Sequence, residues 1–346
     1  MSVRIGVVGL GYWGPNVVRN MSRVADLAWC CDLSAENRER YAPQYPQARF
    51  TDDFDDLLND PELAAIAVAA SVPTHHPLGL KALAAGKHVF IEKPLAASVA
   101  DARALVEAAE KADRRLMVGH LLLFHPGLRA VRSLIDSGEL GDIYYLYGNR
   151  VNLGQVRADE NALWSLGAHD VSVVLHLAGE EPYELSARGE SYMRAGIEDV
   201  VFGYLRFPSG VAAHLHLSWL DPHKERRFTV VGSKRMATFD DMDPERKITI
   251  YDKGFDESAA VDEDYVARSG DIWSPRVAGA EPLRLECEHF VECVRNGREP
   301  ISGARNGLAV VRVLEGLQAS LDESRRGPAA QAVVSAERAA ATTTSA

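Results

Sequence analysis

One stretch limits what this chain can fold into more than any other: Gly9-Leu10-Gly11-Tyr12-Trp13-Gly14, a G-x-G-x-x-G. It follows a short apolar run (Val3, Ile5, Val7, Val8) and precedes Pro15 to Met21, which reads as a helix with proline at an early position. Strand before, helix after, and an acidic residue about 20 positions on turn a weak motif into a specific one. That residue is Asp32, closing the apolar run Leu27-Ala28-Trp29-Cys30-Cys31. The first glycine permits a tight turn, the second lets a pyrophosphate approach the backbone, and the third lets helix pack on strand. The helix N-terminus adds free N–H groups and partial positive charge. A carboxylate at Asp32 accepts ribose hydroxyls and repels a 2′-phosphate, and Leu33-Ser34 brings no adjacent arginine, so the expected cofactor is NAD rather than NADP.

Repeated strand–helix units follow. Helices are expected over Ala35 to Tyr41, Asp53 to Asn59, Pro77 to Ala85 and Ser98 to Ala112, and strands over Ala48 to Phe50, Ala64 to Ala70, His88 to Ile91 and Leu116 to Val118. Such alternation specifies a doubly wound parallel sheet, with ligands beyond the carboxyl ends of its strands. Two segments fall there. Glu92-Lys93-Pro94 follows the His88 strand, and its charged pair either aims at a cofactor crevice or starts a solvated loop. Ser71-Val72-Pro73-Thr74-His75-His76 follows the Ala64 strand; it reads as a loop that either reaches the nicotinamide half of the cofactor or is a turn with a solvated histidine pair.

A length of 346 residues suggests two domains, and the formal net charge of −11 argues against nucleic acid or an anionic membrane as main partner. The four cysteines (Cys30, Cys31, Cys287, Cys293) lack zinc spacing and read as reduced structural thiols; no metal is expected. Met1-Ser2-Val3-Arg4 leads straight into the first strand, so no signal peptide is read, and a cytoplasmic location is expected.

After Gly119-His120 the pattern changes. Pro126 to Ser137 reads as a helix and Ile143 to Asn152 as a strand whose Arg150 and Asn152 alternate onto one face, suited to a phosphate or sugar hydroxyls, or to solvent. Ser165 and His169, four apart, share a face of a helix beginning near Asn161, with Trp164 beside them; a histidine there is structural as readily as catalytic. From Tyr183 the chain is β-rich, with hairpins turning at Ser209-Gly210 and Gly232-Ser233. These strands make an open, mostly antiparallel sheet, one face covered by the helices between Leu121 and Leu177. The other face is expected to meet a second subunit in a homodimer or homotetramer. His214 and His216 alternate onto one strand side, for an interface or, less simply, a metal. Asp252 to Ser274 reads as an acidic irregular flap or exposed loop, His223-Lys224-Glu225-Arg226-Arg227 as a charge run or a diphosphate site, and Pro282 to Gly297 and Gly307 to Leu321 as helices.

The G-x-G-x-x-G, Asp32, Pro73-Thr74-His75, Ala85-Gly86-Lys87-His88-Val89 and Glu92-Lys93-Pro94 together resemble the glucose–fructose oxidoreductase/inositol dehydrogenase (Gfo/Idh/MocA) family, over nearly the whole chain. The resemblance implies an α/β chain: a Rossmann-type doubly wound parallel sheet over 1–120, an α+β substrate and oligomerisation domain over 121–326 with room for its C-terminal helix to pack back on the first, and a flexible tail at 327–346. It implies an NAD-dependent dehydrogenase acting on a sugar hydroxyl carbon. Lys93 and His169 would be the catalytic pair. Gly9, Gly11, Tyr12, Trp13, Gly14, Asp32, Ser71, Pro73, Thr74, His75, Glu92 and Lys93 would bind the cofactor, and His120, Arg150, Asn152, Trp164, Ser165 and His169 the substrate. Many members carry Asp-x-x-x-His here; Ser165 stands at the aspartate position, which leaves the partner of His169 open. Gly138-Glu139-Leu140-Gly141-Asp142, Arg150-Val151-Asn152-Leu153-Gly154 and Asn161-Ala162-Leu163-Trp164 look most like the branch that oxidises C3 of UDP-linked amino sugars. A free-sugar or cyclitol dehydrogenase and a non-catalytic dinucleotide-binding sensor are the alternatives.

Overall fold

The computed structural model describes residues 2–261 and 264–325. The tail expected at 327–346 lies outside the described residues. The chain begins β1 (Arg4–Val8), α1 (Gly14–Val24), β2 (Asp26–Cys31), α2 (Ala35–Tyr41), β3 (Arg49–Thr51), α3 (Phe54–Asn59), β4 (Ala65–Val68), α4 (Val72–Ala84), β5 (His88–Glu92), α5 (Val99–Ala112) and β6 (Leu116–Gly119). The strands pair in parallel in the order β3-β2-β1-β4-β5-β6, the doubly wound arrangement expected. Local chemistry sets the helix starts: Ser98 caps α5 by accepting from Asp101 N at 3.1 Å, and Asp53 caps α3 by accepting from Asp55 N at 2.9 Å.

The segment Ser71 to His76 is not the loop expected. Helix α4 begins at Val72, with Pro73 in its first turn and Pro77 inside it. Proline at the first helical positions removes an N–H that has no partner anyway, so Pro73 suits the start of this helix.

The second half continues α6 (Pro126–Asp136), β7 (Ile143–Val151), α7 (Ala162–Ala178), β8 (Glu184–Glu190), β9 (Val200–Arg206), β10 (Ala212–Ser218), β11 (Glu225–Gly232), β12 (Met236–Asp240), β13 (Ile248–Val261), β14 (Asp264–Trp273), α8 (Pro282–Asn296) and α9 (Ala304–Arg325). Its sheet runs β14-β13-β12-β11-β7-β10-β9-β8, antiparallel except where β10 meets β7. The expected acidic flap is instead the hairpin β13–β14, in which Gly254 pairs with Arg268 and Ile250 with Trp273. Its acidic residues and its register shifts break up the alternation by which strands are read from sequence.

Helices α6, α7 and α9 cover one face of this sheet through Leu128, Val131, Val174, Leu314 and Leu317, packed with Leu205, Leu215, Leu217 and Phe239. On the other face Tyr147 stacks on His214 at 5.1 Å and Phe202 on His216 at 4.7 Å, and Tyr145, Phe202 and Tyr204 are 41%, 53% and 39% exposed. The last two helices return to the first domain. Val118 N donates to Ser302 O at 2.8 Å, Gly307 of α9 lies against Val118 and Leu95, and Phe290 of α8 meets Phe90 of β5 edge-on at 5.8 Å. No helix among the described residues is long and apolar enough to cross a membrane.

Candidate active site

The turn after β1 forms a phosphate cradle by exclusion of side chains. Gly9 has φ +92°, and a Cβ there would fall 2.6 Å from Ala69 O. A Cβ on Gly14 would sit 1.9 Å from Gly9 O, so helix and turn close directly on each other. Around Gly11 there is open space: a Cβ on that residue would have no atom within 4 Å. Tyr12 stands free at 97% exposure over this opening, while Trp13 turns inward and donates Nε1–H to Glu92 Oε1 at 2.8 Å. Asp32 Oδ2 accepts from Leu10 N at 2.5 Å and its Oδ1 from Ser34 N at 2.8 Å, fixing the carboxylate at the end of β2. The sequence missed one neighbour: Arg38, a turn along α2, donates to the carbonyls of Asp32 at 2.6 Å and Leu33 at 3.1 Å. Its guanidinium also pairs with Asp52 at 3.1 Å, so the arginine beside the ribose carboxylate is already engaged. An open glycine cradle with a fixed carboxylate at its far end fits a dinucleotide.

Ser71, Pro73 and Thr74 form the first turn of α4 at the crevice edge, with Thr74 Oγ1 donating to Ser71 O at 2.7 Å. His75 departs from the expectation. It is buried, with Nδ1 2.9 Å from Pro94 O and Nε2 3.1 Å from Ala70 O. Burial pushes its pKa down, opposed by the two carbonyls, and the ring braces α4 against the Lys93-Pro94 turn, whose peptide is cis.

Beyond β5 the two halves of the chain meet. Lys93 Nζ donates to the main-chain carbonyl of Ser165 on α7 at 3.2 Å. His169 lies one turn further along α7, its Nδ1 buried without a partner. Burial, then the field of Lys93, then that of Arg150, hold His169 well below the usual imidazole range, so it is neutral at physiological pH. His120, fully buried at the end of β6 with both ring nitrogens unpartnered, is pushed down to about 3 by burial and by Lys93. Burial also lowers the Lys93 pKa, opposed by Glu160 and Glu92. An ammonium and two neutral imidazoles with unsatisfied nitrogens thus share one field, and buried polar atoms left without partners are uncommon enough to mark a site.

Arg150 and Asn152 do not stand as expected. The strand period puts Leu146, Gly148 and Arg150 on the inner face of β7, toward α7, and Arg150 forms a buried ion pair with Asp170. Asn152 lies past the end of β7 and folds against Gly154. Trp164, in the first turn of α7 capped by Asn161, packs between both cores. In the run His223 to Arg227 both arginines are paired: Arg227 meets Glu225 at 2.5 Å and Arg226 meets Asp241, outside the run, at 3.5 Å. His214 and His216 stack on Tyr147 and Phe202 instead of converging.

Two charged residues near Lys93, and one buried in α8, escaped the sequence reading. Glu160 and Arg157, paired at 3.0 Å, act on Lys93 from the loop before α7. Glu286 of α8 is fully buried with both carboxylate oxygens unpartnered. A signal existed for the last: Glu286 falls on the apolar stripe of α8 between Leu283 and Phe290.

Comparison with known proteins gives the family and the fold. Residues 3–120 match the model of the oxidoreductase family with NAD-binding Rossmann fold, and residues 128–238 match the GFO/IDH/MocA C-terminal domain. The chain is 26% identical over 314 residues to the scyllo-inositol 2-dehydrogenase (NAD(+)) of Bacillus subtilis, covering 86% of this chain and 88% of that protein. A solved oxidoreductase structure from Magnetospirillum magnetotacticum superposes with TM-score 0.78 at 30% identity, over 92% of this chain and all of that one. The fold is shared as well by the UDP-N-acetylglucosamine 3-dehydrogenase of Acidithiobacillus ferrooxidans, with TM-score 0.79 at 24% identity, covering 93% and 98% of the two chains. With a dinucleotide cradle in one sheet domain, a lysine and histidine held at its junction with the next, and both domain models matched in order, the chain belongs to the Gfo/Idh/MocA family of NAD-binding oxidoreductases.

Proposed function

We propose that the protein oxidises a sugar hydroxyl carbon with NAD, reversibly, at the junction of the two domains. The single observation that carries this reading is the tie between Lys93 and α7, which brings an ammonium and the neutral His169 into one field. Oxidation of an alcohol needs an acceptor for the hydroxyl proton and positive charge beside the developing oxyanion. His169, kept neutral by burial, accepts the proton. Lys93 holds the reacting oxygen. NAD supplies the hydride acceptor. Glu92, anchored by Trp13, orients the lysine rather than acting as base.

For the substrate we favour C3 of a UDP-linked amino sugar. Support comes from the resemblance of the Gly138–Asp142 and Asn161–Trp164 segments. Arg150, tied to Asp170, is withdrawn from this role. A cyclitol is the second reading, and the 26% identity to an inositol dehydrogenase favours it. Incubating the protein with NAD and either UDP-N-acetylglucosamine or myo- and scyllo-inositol, and following NADH absorbance, separates the two. NADH from the inositols alone overturns the nucleotide-sugar reading, and NADH from no polyol or sugar overturns both. The aromatic open sheet face is proposed as the contact between copies in a homodimer or homotetramer.

A further inference from the structure

Beside the ribose carboxylate stands a second aspartate that the cofactor reading leaves without a task. Strands β2 and β3 run parallel with Cys31 opposite Thr51, so the next residues, Asp32 and Asp52, leave the sheet side by side. Asp32 N donates to Thr51 O at 3.1 Å, which ties the two strand ends together. The two carboxylates take different partners. Asp32 is held by uncharged donors: Leu10 N on Oδ2 at 2.5 Å, and Ser34 N and Asn37 Nδ2 on Oδ1 at 2.8 Å and 3.3 Å. Asp52 Oδ2 meets Nη2 of Arg38 at 3.1 Å. The neighbouring Asp53 serves as the cap of α3. Arg38 is divided between two duties. Its Nη1 donates to the carbonyls of Asp32 at 2.6 Å and Leu33 at 3.1 Å, closing the turn between β2 and α2, while its Nη2 faces Asp52.

The place matters. At the end of this strand in a dinucleotide fold, an acidic residue takes the ribose 2′-hydroxyl and an arginine takes a 2′-phosphate. This chain carries both there, with the arginine restrained. We propose that Asp52 is a positioning residue for cofactor choice: by engaging Arg38 it withholds from a 2′-phosphate the cation that would bind it, and so adds to the preference for NAD set by Asp32. With the pair intact, a 2′-phosphate meets the carboxylates of Asp32 and Asp52 and a guanidinium already neutralised. Without Asp52 it meets one carboxylate and an open Nη2. Nη1 keeps its two carbonyls, so the turn stays closed and the NAD site is unchanged. Asp52 is 64% exposed at its side chain, and an ion pair so exposed adds little to folding stability, which leaves the control of Arg38 as its main effect. The inference uses the dinucleotide cradle and is independent of which alcohol is oxidised.

The test is the ratio of the NADPH to the NADH dissociation constant, from fluorescence titration of the full chain at low salt, with no sugar present. Asp52→Ala is expected to lower that ratio by about tenfold or more, through tighter NADPH, as a hydrogen bond between charged groups is worth. Loss of a negative charge near the phosphate lowers the ratio as well, so a cycle with Arg38→Leu separates the two causes. If Asp52 acts through Arg38, the gain from Asp52→Ala shrinks by roughly threefold or more once Arg38 is gone. An equal gain in both backgrounds overturns the proposal, because Asp52 then acts on the phosphate by its own charge. An unchanged ratio in Asp52→Ala overturns it too. Where NADPH binds the wild type too weakly to titrate, the same cycle is run in Asp32→Ser, which lifts the repulsion from that carboxylate. A turn merely loosened by the substitutions weakens both nucleotides alike and leaves the ratio in place. The cofactor reading fails separately, through wild-type protein that does not bind NADH.

Discussion

The Lys93 ammonium lies 3.2 Å from the carbonyl oxygen of Ser165, so a side chain at the end of the first sheet is tied to the helix that covers the second. Ser165 brings no carboxylate of its own to balance the lysine. The charges acting on Lys93 to raise its pKa come instead from Glu160 and Glu92. Everything proposed for the chemistry depends on that junction.

Replacing Lys93 with methionine keeps the side chain's length and removes its charge. Turnover is expected to fall by about 10²–10⁴, the usual worth of a positioned charge or proton-transfer group. NADH affinity measured by fluorescence should remain within severalfold of wild type, because the Gly11 cradle and Asp32, rather than Lys93, take the phosphates and the ribose. Unchanged turnover would remove Lys93 from the mechanism.

The glycines of the cradle should separate binding from folding. Gly11→Ala meets no atom of the protein, so its melting temperature should stay near wild type, while its methyl enters the phosphate space and weakens NAD binding. Gly14→Ala drives a Cβ to 1.9 Å from Gly9 O, so it should lose both stability and binding. Equal melting temperatures for the two variants, by calorimetry, would contradict the cradle as described.

Ser165→Asp puts a carboxylate beside both Lys93 and His169. An opposite charge at that range favours the imidazolium, and the acid limb of the pH–rate profile should move up by about 1–3 pH units. Wild type should keep its His169-dependent activity well below pH 6.5, because burial and Lys93 hold that ring neutral. A profile unmoved by the substitution would mean that His169 is not the group titrating.

His120 should make folding sensitive to acid. Its pKa is pushed from 6.5 down to about 3 in the folded chain, so below pH 6.5 the unfolded chain binds the extra proton. Stability is therefore lost as pH falls through that window, by up to about 1.4 kcal/mol per pH unit from this residue. Urea unfolding at pH 7, 6, 5 and 4 should show a shallower loss in His120→Leu than in wild type; parallel curves would exclude the residue.

Phe202→Glu combined with Tyr204→Glu charges the open face of the second sheet without entering its core. If copies meet there, light scattering should show dissociation to a monomer with the circular dichroism unchanged. A mass identical to wild type would place the contact elsewhere.

The first half of the chain was legible because its signals are local. Glycine spacing, the N-cap at Ser98 and the strand–helix period each act over a few residues, and they foretold the parallel sheet and the cofactor cradle. Pro73 misled because the same residue suits a loop or a helix start, and only the packing of His75 against Pro94 chooses between them. Arg150 misled for a related reason. A strand period says which residues share a face, but not which face is covered, and Asp170 on α7 made its face the inner one.

What the amino-acid order determined by itself was the list of elements and the chemistry at their ends. What only the tertiary structure decided was which of those ends converge: Lys93 with α7, Phe90 with α8, residues separated by 72 positions or more. Such pairings depend on how separate apolar faces bury one another, and a hydrophobic surface carries no address for its partner until the chain has closed.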